Sequence, residues 1–205
     1  MARKTKSEAE ATRDELLCAA ERVFLERGVA RATLEQIAAD AGVTRGALYW
    51  HFENKADLFK AMLDRVQMPM VELVERLPEE PEERPFEALR HLCERSLRNL
   101  TTDPQYRRVY TILQHRCERV TEVEACLRPH AENLARILSS VEGYFGRPAN
   151  REALHPGLTP RLAARTVHVF MQGLYHDWLR DPAAFDLAAD SRPMLDALFR
   201  SLARR

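Results

Sequence analysis

The sequence predicts an all-α fold, and three observations carry that prediction. Apolar residues recur at helical spacing through nearly every segment. Capping signals stand at the head of several of those segments. No stretch alternates apolar and polar residues as a half-buried strand would. The 205 residues are 45% hydrophobic and 30% charged, enough apolar material for a packed core in a water-soluble chain.

The elements follow in order. Ser7-x-x-Glu10 reads as a capping box, and Leu16, Leu17, Ala20, Phe24 and Leu25 make an apolar stripe that stops at Gly28. Thr33-x-x-Gln36 caps a second helix carrying Leu34, Ile37, Ala38 and Ala41, with Gly42 as its stop. Thr44 to Phe52 is a third. Asn54-x-x-Asp57 caps a fourth, in which Leu58, Met62, Val66 and Leu73 recur. LPEEPEERP, residues 77–85, is rich in proline and acid and reads as a linker. Further helices are expected over 86–100, from Pro104 toward Val120, and over 122–144. A loop, GRPANREALHPGLTP, leads to helices over 161–179 and roughly 191–203.

Composition excludes several function classes. No apolar run approaches a membrane span, and MARKTKSEAEATRDE lacks the apolar region of a signal peptide, so a cytoplasmic protein with no membrane partner is expected. Cys18, Cys93, Cys117 and Cys126 form no C-x-x-C pair, and reduced thiols are the expectation. His168 and His176 stand about 12 Å apart along a helix, too far for one ion. His115 and Cys117 do not share a helix face. No nucleophile–base pair is visible, so neither catalytic residues, a metal nor a cofactor is expected. The formal net charge of zero argues against bulk nonspecific nucleic-acid binding, while leaving room for a local basic surface.

One short segment carries more aromatic residues than a core can use. In GVTRGALYWHF, Leu48 and Phe52 share one helix face, while Arg45 and Tyr49 share a second, with Gly46 and Trp50 beside them. The helix before it, a turn containing Gly42, and this helix have helix-turn-helix spacing. Ala38 permits close approach, Val43 and Leu48 can fill the angle, and Thr44 can cap. In such a motif the second helix enters the major groove. Arg45 can then hydrogen-bond guanine or phosphate, and Gly46 lets the helix backbone approach closely. Tyr49, Trp50 and His51 can meet phosphate, sugar or thymine methyl groups. The competing reading makes Tyr49 and Trp50 plain core aromatics.

TLEQIAADAGVTRGALYWHFENKADLF, residues 33–59, closely resembles the DNA-binding signature of TetR-family repressors: a Gly-Val turn, a basic or polar residue and Gly, then Leu-Tyr-x-His-Phe-x-x-Lys. The N-terminal segment and ILQHRCE, residues 112–118, resemble the AcrR-like and TtgR-like branch, whose members repress multidrug efflux pump genes. The similarity is tight over the N-terminal third and looser beyond. It implies a DNA-binding domain over 1–54 and a ligand-binding and dimerisation domain over 55–205. It also implies that Thr33, Thr44, Arg45, Gly46, Tyr49, Trp50, His51 and Lys55 touch double-stranded operator DNA. Lys55, at a helix start, would meet a phosphate there. Arg3, Lys4 and Lys6 read equally as a DNA-seeking arm or as a solvated tail.

The C-terminal two-thirds read as a helical bundle. His168, Gln172 and His176 recur on one face of an otherwise apolar helix, a polar row that needs partners, water or a ligand if buried. By approximate similarity to the TtgR-like branch, Tyr110, Gln114, His115, Phe170, Gln172 and His176 would line a pocket for a hydrophobic or aromatic small-molecule inducer. The resemblance also implies a homodimer, held by Leu174, Trp178, Met194, Leu195, Leu198, Phe199 and Leu202. Three functions compete: a ligand-released repressor of an efflux operon, a metabolic regulator of the same fold sensing lipid or aromatic compounds, and an enzyme. The absence of a catalytic constellation puts the enzyme last.

Overall fold

The computed structural model describes residues 6–78, 84–117 and 121–204. These contain ten helices and no strand: α1 (Lys6–Arg27), α2 (Leu34–Asp40), α3 (Arg45–His51), α4 (Lys55–Glu75), α5 (Glu87–Thr102), α6 (Pro104–His115), α7 (Thr121–Gly146), α8 (Pro148–Ala153), α9 (Pro160–Arg180) and α10 (Leu187–Leu202). The all-α expectation holds. Several boundaries do not: α6, expected to run toward Val120, stops at His115. The first helix already includes Ser7, which therefore cannot cap it. The last begins before Ser191, because the Asp186 carboxylate accepts from the Ala189 N–H at 3.1 Å and caps it. Within the expected loop, Pro148 sits in the first turn of the short α8, whose buried Asn150 donates to the Tyr144 carbonyl at 2.9 Å. Most of the acidic linker, residues 79–83, lies outside the described residues, as do Arg3 and Lys4.

The chain divides into two compact units, each built from two stretches of sequence. The first comprises residues 1–66 and 108–131, and the second 67–107 and 132–205. The boundary crosses α4, α6 and α7, so helix ends do not mark it.

In the first unit, Leu16, Leu17, Phe24, Ile37, Leu48, Leu58, Phe59 and Met62 form a core with no solvent exposure. Phe24 and Phe59 meet edge to face at 5.6 Å. Glu21 is also fully buried and takes two hydrogen bonds from the Arg108 guanidinium, at 3.1 and 3.0 Å. That ion pair fixes α6 against α1, and removing either partner would strand a buried charge. The Val29 N–H, donating to the Arg116 carbonyl at 2.9 Å, makes a second tie between the same regions.

The second unit packs Phe86, Leu89, Leu97, Leu100, Tyr144, Phe145, Leu195 and Leu202. Phe86 takes a left-handed conformation (φ 66°), costly for a residue with a Cβ by about 1–2 kcal/mol. Its full burial and its 5.0 Å edge contact with Phe145 offset that cost. A closed set of hydroxyls lies inside: Ser96 to Tyr106 at 3.2 Å, Ser96 to Tyr175 at 2.6 Å, and Tyr106 to Tyr175 at 2.8 Å. The C-terminus is pinned where the Arg204 N–H donates to the Ala153 carbonyl at 2.7 Å.

Candidate nucleic-acid interface and ligand region

The recognition element is built from short helices held by caps and one buried plug. Thr33 and Gln36 form the expected reciprocal box: the Gln36 N–H donates to Thr33 Oγ1 at 3.2 Å and the Thr33 N–H to Gln36 Oε1 at 3.0 Å. Gly42 adopts φ +67° to make the turn, and the Val43 N–H donates to the Ala38 carbonyl at 3.0 Å. Thr44 then caps α3 by accepting from the Ala47 N–H at 3.2 Å. Seven residues are too few for a self-sustaining helix, so tertiary anchoring has to hold α3. Leu48 and the C-capping Phe52 are both buried and supply it, at about 1.5–3 kcal/mol each.

The opposite face of α3 is in water. Tyr49 is 42% exposed and Trp50 73%, which excludes the core reading of these two aromatics. His51 is half-buried and meets Trp50 edge-on at 4.6 Å. Arg45 stacks over the Tyr49 ring at 5.3 Å and pairs through Nε with Glu35 of α2 at 3.1 Å. The Glu35 carboxyl titrates below its usual range because its own backbone N–H hydrogen-bonds it, with Arg45 and Thr33 adding to the effect. Glu35 is absent from the sequence-based site, although an acid in the first turn of α2 is a visible signal. A Cβ built on Gly46 would meet nothing nearer than Thr44 Oγ1 at 4.0 Å, so the fold itself has room for a side chain there.

Lys55 has an inward set of partners in the free chain. Its Nζ donates to the carbonyls of Val29 at 2.8 Å, Ala30 at 3.1 Å and Ala32 at 3.1 Å. An ammonium has three protons, and three carbonyls take them. Lys6, at the start of α1, is exposed.

The six expected ligand residues fall in two groups. Tyr110, Gln114 and His115 are on the part of α6 in the first unit, the first two half-buried and His115 exposed. Phe170, Gln172 and His176 are on α9 in the second unit. The polar row on α9 is not buried: His176 is exposed, and His168 and Gln172 are half-buried. Desolvation, and then the nearby Arg165 charge, hold the His168 imidazole below its usual pKa. Cavities of ≈ 350, 500 and 730 Å³ in the second unit are lined by other residues, such as Trp178 and Phe185 in the first of them.

The expected dimer residues are mostly covered by the chain itself. Leu174, Trp178, Leu195, Leu198, Phe199 and Leu202 are all buried within the chain's own second unit, and Met194 is half-buried. Their helical spacing records the intramolecular core. Among the residues α9 leaves uncovered are Leu162, Thr166, Val169, Gly173 and His176, flanked by the exposed Arg165 and Asp177, with Leu162 51% and Val169 65% exposed. On α10, Ala189, Pro193 and Ala197 are exposed at four-residue spacing.

Of the cysteines, Cys93 and Cys126 are buried and Cys18 and Cys117 half-buried, all as free thiols. Burial pushes the Cys93 and Cys117 thiols up to about 12. No helix among the described residues is long and apolar enough to cross a membrane.

A helix-turn-helix whose second helix turns its basic and aromatic face to solvent coincides with a family match. Residues 16–62 match the family model of bacterial regulatory proteins of the tetR family, and residues 84–203 that of the MAATS-type transcriptional repressor C-terminal region. The chain belongs to the TetR family. It is a transcription regulator, not an enzyme. TtgR, an HTH-type transcriptional regulator of Pseudomonas putida, is 38% identical over 199 residues, covering 96% of this chain and 93% of TtgR. NalD, the secondary repressor of the MexAB-OprM multidrug efflux pump in Pseudomonas aeruginosa, superimposes with a TM-score of 0.89 at 44% identity. That match covers 97% of this chain and 99% of NalD. SmeT, a multidrug efflux pump repressor of Stenotrophomonas maltophilia, superimposes in its triclosan complex with a TM-score of 0.82 at 32% identity. There, 95% of this TetR-family chain and 92% of SmeT are covered.

Proposed function

We propose that this TetR-family regulator is a cytoplasmic homodimer that represses a multidrug efflux operon and leaves its palindromic operator when a hydrophobic or aromatic small molecule binds. The observation that carries the reading is the outward face of α3. Arg45, Tyr49 and Trp50 stand in solvent on a helix too short to need them, beside a glycine that the fold does not demand. In the major groove, Arg45 exchanges Glu35 for a guanine edge or phosphate, and Gly46 lets the helix backbone approach. Tyr49, Trp50 and His51 pack against sugar and thymine methyl groups. Thr33 and Thr44, already fixed as caps, lie at the N-terminal ends of α2 and α3, where phosphates meet the positive ends of helix dipoles.

A single reading head binds weakly, and two heads at the spacing of successive major grooves bind tightly. The uncovered face of α9 and α10, with Leu162, Val169, Gly173, Pro193 and Ala197, is suited to burial against the same face of a second copy. Small residues there allow helices to approach closely, and the two large aliphatics supply apolar area. The inducer class follows from the relatives: SmeT is found with triclosan, a hydrophobic aromatic, and NalD governs a multidrug pump. Of the six expected residues, Phe170, Gln172 and His176, which share α9 in the second unit, are the side chains proposed to meet the inducer.

The test is an operator titration with and without triclosan as the probe, alongside calorimetry of triclosan with the protein alone. Tight, salt-sensitive operator binding, weakened by a compound that also binds the free protein, is the expected result. Operator binding indifferent to triclosan and to a panel of flavonoids, antibiotics and dyes would remove the efflux reading and favour a metabolic inducer.

A further inference from the structure

We infer that the C-terminal clip of the second unit forms a binding site for a phosphate group, free or carried by a small organic molecule. The site is a cavity of ≈ 730 Å³, with His155, Arg200 and Arg204 around it and the small Ala197 and Ala203 in its wall. No carboxylate lines it, and among the described residues neither Arg200 nor Arg204 has an ion-pair partner. The neighbouring cavity of ≈ 500 Å³ shares Arg200 and Ala203 but makes a weaker case. There Arg84, Arg90 and Arg192 are mixed with Glu87 and Asp196, and Arg90 is already paired with Glu94 and Asp196, both at 3.3 Å. Like charges left facing one space without a counter-charge are what an anion would neutralise.

The backbone fixes these donors in place. An antiparallel bridge joins Leu154 to Ala203, with the His155 N–H donating to the Leu202 carbonyl at 2.8 Å and the Arg204 N–H to the Ala153 carbonyl at 2.7 Å. Leu154 and Leu202 are buried and anchor the clip in the core. The clip also takes the Leu202 carbonyl, one of the bare acceptors that make the last turn of a helix repel an anion. Arg200 donates through Nε to the Asp196 carbonyl at 3.0 Å, which steadies the guanidinium and leaves its four terminal N–H groups for a ligand. The Gly157 N–H donates to His155 Nδ1 at 3.2 Å, so the neutral ring carries its proton on Nε2 and is a donor there. A Cβ on Gly157 would come within 3.4 Å of that Nδ1, so the glycine admits the ring. Ser201 spends its proton on the Leu198 carbonyl at 2.6 Å and adds no donor. Two guanidinium forks and an imidazole N–H suit a group with several charged oxygens, as phosphate has.

The test is a titration of the full chain, followed by the His155 ring resonances, with sodium phosphate, phenyl phosphate and sodium chloride as probes at one pH. Phosphate should move those resonances and saturate with a Kd of about 1 mM, the range for exposed guanidiniums in salt. Chloride at the same ionic strength should not move them. Arg200→Gln and Arg204→Gln should each weaken phosphate binding by about tenfold or more, since each removes one charged fork. Both side chains are exposed, so thermal unfolding without phosphate should stay as in the wild type. Arg161→Gln, an exposed charge of the same unit outside the cavity, should leave the affinity unchanged. Phenyl phosphate binding more tightly than inorganic phosphate would identify an organic phosphate as the ligand, and the reverse order would identify the free ion. Shifts that fail to saturate, or that chloride reproduces, would mean an adventitious ion only and overturn the inference. Saturable binding that survives intact in both Arg200→Gln and Arg204→Gln would overturn it as well.

Discussion

The recognition helix and α9 both hold apolar side chains in water, but they do so on different foundations. α3 has seven residues, one of them buried, and depends on two caps and the Leu48 and Phe52 anchors. α9 has 21 residues and buries Ala163, Ala164, Val167, Leu174, Tyr175 and Trp178, so Leu162 and Val169 ride on a helix that is secure without them. Exposed aromatics on a marginal helix are difficult to explain by folding, and the proposed operator contact would account for them. Exposed aliphatics on a well-anchored helix are what an association surface requires. The difference teaches that exposure alone does not identify a site; what holds the exposed residue in place has to be asked as well.

The largest expected effect separates the two faces of the α9–α10 pair. Val169→Asp should leave the monomer folded, dissociate the dimer in sedimentation, and lower operator affinity by roughly 100-fold or more as one reading head is lost. Phe199→Asp places a charge in the chain's own core and should instead cost about 3–5 kcal/mol of folding stability by urea titration. A folded monomer from Phe199→Asp with an intact dimer in Val169→Asp would reverse the assignment of faces.

On α3, Arg45→Ala should relax preference at one base position by about 1–3 kcal/mol, read from a mobility-shift series over operator variants. A uniform loss across all variants would reassign Arg45 to the phosphates.

Gly46→Ala should be neutral or stabilising to the fold by about 0.5–1 kcal/mol, since a helical alanine has room there. It should nevertheless weaken operator binding. Unchanged binding would remove the close-approach argument.

The smallest effect belongs to Glu35→Gln, which frees Arg45 and removes a negative charge near the DNA. Operator affinity at neutral pH should rise a few-fold. In the free protein, a carboxyl whose pKa is lowered on folding adds stability that is complete above its ordinary value of 4.5 and is lost as pH falls through the lowered one. The stability advantage of wild type over Glu35→Gln should thus appear at pH 7 and vanish in acid. An advantage independent of pH would show that the pair contributes nothing through charge.

Much of the reading head is legible in the sequence because its structure is local. Thr33, Gln36, Gly42 and Thr44 act within four residues of themselves, and caps and turns leave marks at fixed spacing. Lys55 is different, because its partners lie beyond the reach of any local pattern. Its ammonium meets carbonyls that stand 23 to 26 residues back along the chain. The buried Glu21–Arg108 pair escapes sequence reading for the same reason, being 87 residues apart. In the second unit, the stripe Leu195, Leu198, Phe199 and Leu202 announces a buried face correctly, yet periodicity cannot say whether the burying partner is the same chain or another. Likewise His168, Gln172 and His176 do share a face, but spacing carries no information on burial.

The central claim is that the outward face of α3 meets operator DNA, and Trp50 reports on it directly. The chain has two tryptophans, and Trp178 is 7% exposed while Trp50 is 73% exposed. In Trp178→Phe, the emission of Trp50 should be quenched readily by iodide in the free protein. On titration with a palindromic site selected from the protein's own promoter region, that quenching should be lost in step with binding, and adding salt should restore it. Trp50 remaining as open to iodide in the bound state as in the free one would contradict the account.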